Sequence, residues 1–141
     1  MRFLLIFLLS ASGLGGAFAQ GLVGLEKQIL PITTADWLAF RNYDGRQLVY
    51  FTHLVVYRCG LSEIRYSINS DTLDQRFELS ACDPQRPNEI PADELPFLAL
   101  PLGSAQEVAV QIVYTDGETS EVLRYVPCDI DDEGTCAKLV E

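Results

Sequence analysis

A single histidine, a single tryptophan and only ten lysines and arginines among 141 residues leave several kinds of chemistry without material. Any Ser-His-Asp or Cys-His nucleophile would have to use His53, and zinc catalysis commonly recruits two or three imidazoles where this chain has one. Twenty acidic residues give a net charge of −10, so no basic patch is expected to neutralise phosphates and nucleic acid is excluded as a partner. The four cysteines, Cys59, Cys82, Cys128 and Cys136, contain no CxxC pair, which argues against a zinc site. Past the first 19 residues no apolar run approaches the roughly 20 residues of a spanning helix. The longest, residues 48–56, is strand-sized and holds Tyr50, Thr52 and His53. No repeat of fixed period is present.

What the sequence does hold begins at its N-terminus. Arg2, the apolar run 3–9 and the small-x-small ending Ala17-Phe18-Ala19 before Gln20 have the form of a secretory signal over residues 1–19. The run fades at Ser10-Ala11-Ser12-Gly13, too early for an anchor, and no cysteine follows it to accept a lipid. The expected mature protein is residues 20–141, a single domain of 122 residues with a net charge of −11, exported to the periplasm or the medium. In such an oxidising compartment the four cysteines are expected to form two disulfides.

The pattern is all-β. Residues 48–58 read as a strand apolar on both faces, which therefore needs cover on both faces. Residues 63–69 alternate, with Ile64, Tyr66 and Ile68 on a dry face, and residues 75–80 do the same with Phe77 and Leu79. Taken as an up-down-up meander, these three strands bring Cys59 and Cys82 to one end, across a middle strand, and leave Cys128 to pair with Cys136. Thr33 and Asp36 have the shape of a capping box, but Asp-Gly at 44–45 favours a strand over 37–41 turning into the next. Trp37 and Phe40 read as core. Prolines 84, 87, 91 and 96 make residues 83–96 an irregular crossover between sheets, followed by a short strand over 97–100. The clearest hairpin joins residues 107–115 to 119–126 through Asp116-Gly117. Six or seven such strands predict an antiparallel β-sandwich. The pattern is similar in architecture to immunoglobulin-like and fibronectin type III domains, without the Cys, Trp, Cys order, since Trp37 precedes every cysteine.

Candidate sites are few. His53, among Phe51, Val55 and Tyr57, reads as a buried neutral ring hydrogen-bonded to a neighbour, not as a base. Asp129, Asp131, Glu133 and Gly134 sit at the first, third, fifth and sixth positions of an EF-hand-like loop, and with Asp132 they are the candidate calcium ligands. The bidentate acid then fails to appear, because Val140 occupies its position, and no entering helix precedes the loop. Residues 107–141 carry nine acids and two bases, so the negative field is concentrated in the last quarter of the chain and can steer a cationic partner. The expected function is that of a non-enzymatic binding or accessory module for another macromolecule. An acidic inhibitor of a cationic cell-wall hydrolase is the alternative, and a small carboxylate-based hydrolase a third.

Overall fold

The computed structural model describes residues 23–128 and 134–140. The leader expected over residues 1–19 lies outside them. Among the described residues are eight strands: β1 Ala39–Tyr43, β2 Arg46–Tyr50, β3 Leu61–Ile68, β4 Gln75–Phe77, β5 Phe97–Pro101, β6 Val108–Tyr114, β7 Leu123–Val126 and β8 Lys138–Val140. They form two antiparallel sheets, β1-β2-β5 and β4-β3-β6-β7-β8, as the strand pattern predicts. Two short helices, α1 Glu26–Ile29 and α2 Thr52–Val56, and three single 3-10 turns complete the described elements.

Both Asp-Gly signals make turns, by different routes. At Asp44 and Gly45 both residues take positive φ (51° and 70°), the two-residue turn whose twist matches β1 and β2. At Asp116 and Gly117 the loop has three residues: Tyr114 N–H donates to the Glu118 carbonyl at 2.8 Å, and Gly117 closes it with φ 89°. The crossover over residues 83–96 does carry the chain from β4 in one sheet to β5 in the other.

The strand expected over residues 48–58 ends at Tyr50, and α2 follows. Phe51, Leu54 and Val55 are fully buried and Arg58 nearly so. That is the i, i+3, i+4, i+7 spacing of one helix face, which a run of β-branched and aromatic residues disguises as strand. Most of the apolar surface of this segment is therefore covered within the monomer, with Tyr50, Val56 and Tyr57 half-buried. A smaller correction falls on β3, where Ser67, expected on the wet face, is buried and donates to the Ser70 carbonyl.

Cys59 pairs with Cys82 and Cys128 with Cys136, at Cα separations of 4.8 and 5.7 Å. The pairing is the expected one, but the geometry differs. No middle strand separates Cys59 from Cys82, because β3 and β4 are direct neighbours with Ile64 opposite Phe77. Five residues back from Ile64 and five on from Phe77 lie the two cysteines, opposite one another in the same register. The second bridge obeys the same rule: Val126 faces Lys138, and two residues beyond them lie Cys128 and Cys136. Each disulfide thus staples the end of an antiparallel pair.

The core lies between the sheets. Phe40 and Val49 from one meet Ile64, Val108, Val110, Ile112 and Tyr125 from the other, with Trp37, Phe51 and Leu54 filling the ends. Its two polar aromatic groups are satisfied: Trp37 Nε1 donates to the Leu30 carbonyl at 3.0 Å and the Tyr125 hydroxyl to Thr34 at 2.6 Å. Burial raises the Tyr125 phenol well above its ordinary pKa, so it stays a donor. The loop from β5 to β6 is held by two amides. Gln47 makes a reciprocal pair with the Ala105 backbone (2.9 and 2.8 Å), and Asn69 takes the N–H groups of Gln106 and Glu107 while donating to Ser104.

Candidate functional site

His53 sits on α2, half-buried, with Nε2 2.9 Å from Thr33 Oγ1 and the ring edge-on to Tyr57. The Thr33 hydroxyl is also 2.9 Å from the Ile29 carbonyl, which can only accept. With the hydroxyl proton directed there, the ring must be the donor. Burial lowers the His53 pKa and nearby Asp36 only partly offsets that. The ring is thus neutral and hydrogen-bonded to a neighbour, as expected, though half-buried on a helix and not fully buried in a strand.

Arg58 is the buried charge of this region. Its guanidinium donates to the carbonyls of Val55 and Pro87 at 3.3 Å and of Ala81 at 3.4 Å. A cation at the C-terminal end of α2 meets the negative end of the helix, and the same side chain clips the crossover to it. It is a structural fastener.

The candidate calcium ligands Asp129, Asp131, Asp132 and Glu133 lie outside the described residues. What is described is the frame around them, the Cys128–Cys136 bridge at the end of β7 and β8. Among the described residues no group of three or more potential metal ligands converges.

The strand order itself points to the most distinctive surface. On one side the two sheets join: Phe40 in β1 and Cys136, just before β8, exchange both main-chain hydrogen bonds at 3.0 Å. On the other side β5 ends one sheet and β4 ends the other, and neither outer edge is paired among the described residues. Between these edges runs a seam of two depressions, of about 530 and 430 Å³, that share Leu98. Phe77, Leu79, Leu98, Leu100 and Ile68 give it an apolar floor, and Leu95 stands at its rim with 67% of its surface exposed.

Charge in the seam is uneven. Arg65 and Arg76 are direct cross-strand partners, a like-charge pair made tolerable by Glu63, whose Oε2 lies 2.7 Å from Arg65 Nε and 3.7 Å from Arg76 Nε. The Arg65 hydrogen bond holds the Glu63 carboxyl below its ordinary pKa. Arg76 also folds back onto the carbonyls of Leu73 and Gln75, both at 2.9 Å. Its charge is therefore already answered, while Asp74, Glu78 and Glu94 line the same seam without an ion-pair partner among the described residues. Glu94 is held from one side only. Its Oε2 accepts from Ser80 Oγ at 2.6 Å, and its Oε1 is buried with no partner among the described residues.

Arg46 and Pro101 finish the far end of the β5 edge. The arginine donates to the carbonyls of Ala99 and Leu100 at 3.0 and 3.2 Å, and the proline has no N–H to offer. With the Ala99 carbonyl taken by Arg46, the open stretch runs from Phe97 to the Ala99 N–H, next to Glu94. Sequence reasoning placed Phe77 and Leu79 facing inward but did not see the seam. One signal was present: Leu95 is a large apolar residue between Glu94 and Pro96 in a crossover whose other large apolar residue is Ile90. No family model, curated protein or solved structure matches this chain.

Proposed function

We propose that this protein is an exported, non-enzymatic binding module that engages a macromolecular partner along the seam between β4 and β5. The observation that carries this reading is the asymmetry of the two sides. One is sealed by main-chain hydrogen bonds and a neighbouring disulfide, whereas the other leaves two strand edges unpaired beside an apolar groove. An unpaired edge is a template for another chain, and stable proteins usually blunt theirs. Two disulfides suit an oxidising, exported location. Segment 48–58 is the poorer docking face, because Leu48, Val49, Phe51, Leu54 and Val55 are buried and Tyr50, Val56 and Tyr57 are half-buried.

A second reading follows from the charge of −10, which suits a cationic target such as a basic cell-wall hydrolase that the module would inhibit. Site-specific photo-crosslinking in the native compartment tests both. A crosslinker at position 95 is expected to capture a partner, and one at position 43, half-exposed on the sealed side, is not. Equal capture from both positions, or none, would count against the module. A captured enzyme whose activity falls on binding would favour inhibition.

A further inference from the structure

Resting on the binding-module reading, we infer that the seam accepts an extended segment of another protein, added as a strand to the outer edge of β5, with a lysine or arginine side chain meeting Glu94. Strand addition uses main-chain hydrogen bonds for affinity and alternate side chains for specificity, and the seam supplies both. The stretch from Phe97 to the Ala99 N–H offers the open edge, the Ala99 carbonyl being held by Arg46, and the side chains of an added strand that point inward enter the groove over Phe77, Leu79 and Leu98. Its combined volume is in the range of ordinary ligand sites.

Charge selects the occupant. The buried Glu94 Oε1 lacks a donor, and leaving a buried acceptor unsatisfied is costly. A basic side chain brings a charge-assisted hydrogen bond to that oxygen and meets the field of Glu78 and Asp74 as it approaches. A second copy of this chain is the poorer occupant, since each copy carries a net charge of −10 and this seam has unanswered acids of its own.

The test is selection from a random nonapeptide display library against the oxidised mature protein, followed by amide chemical-shift mapping with the enriched peptides. The expected result is enrichment of peptides that alternate apolar residues and carry one lysine or arginine, with shifts at Phe97–Ala99. Glu94→Gln is expected to cut the preference for the basic residue by about tenfold or more. Leu95→Asp, at an exposed position, is expected to abolish binding without unfolding the protein. Enriched peptides that are acidic, or that map to another surface, overturn the strand-addition proposal and leave the binding-module reading standing. Concentration-dependent dimers crosslinked through position 95 overturn it in favour of a second copy. Absence of enriched peptides together with absence of capture in the native compartment removes both.

Discussion

The two long sides of this sandwich are made of the same material and finished in opposite ways. On the β1 and β8 side, strand register places Cys128 opposite Cys136, and Cys136 in turn ladders with Phe40, so one residue ties a disulfide, a hairpin end and both sheets together. On the β4 and β5 side the strands stop, the carboxylate of Glu94 is half-satisfied and Leu95 faces solvent. The difference separates what keeps the fold from what is left for a partner. Changes on the first side should cost stability, and changes on the second should cost binding.

The largest effect is expected at the sealed side. Phe40→Ala removes a buried ring at the junction of the sheets and should cost about 3 to 5 kcal/mol in denaturant unfolding. A cost below 1 kcal/mol would mean that this junction holds little. Next come the staples. By loop length, the Cys59–Cys82 bridge, closing 23 residues, should contribute about 3.5 kcal/mol, and Cys128–Cys136, closing eight, about 2.5 kcal/mol. Paired Cys→Ser variants followed by chemical denaturation check the order as well as the size, and a reversed order would show that local contacts outweigh chain entropy. At the seam, Leu95→Ser should move stability by no more than about 0.5 kcal/mol, because the side chain is already in water. A loss as large as at Phe40 would make the seam part of the core and erase the contrast.

The smallest expected effect is a pH tilt from His53. Burial puts its folded pKa below the unfolded value near 6.5, so the unfolded chain takes up the proton first. The stability that belongs to the neutral ring is present above that value and declines as pH falls through it toward the folded pKa. Melting midpoints measured from pH 7.5 down to 5 should therefore fall more steeply for the native protein than for His53→Gln. Parallel curves would place the ring in a more watery setting than α2 and Thr33 provide.

Much of the architecture was legible because it depends on local chemistry. Asp-Gly pairs demand positive φ and made turns at 44–45 and 116–117, alternation marked β3, and prolines confined residues 83–96 to a crossover. The cysteine pairing was also legible, although for a reason different from the meander. Segment 48–58 failed because β-branched residues favour strands on their own, while tertiary burial of Phe51, Leu54 and Val55 favours one helical turn, and burial won. The seam was out of reach. It is made by residues distant in sequence, Phe77 from β4 with Glu94 and Leu95 from the far end of the crossover and Leu98 from β5, and only strand order reveals that the two outer edges bound one groove.

Native-state amide hydrogen exchange on the partner-free protein tests the central contrast most directly. The Phe40 and Cys136 amides are expected to exchange only on global unfolding, while along β5 protected and rapidly exchanging amides alternate, the fast ones pointing into the seam. Uniform protection along β5, or rapid exchange at Phe40 and Cys136, would contradict that contrast.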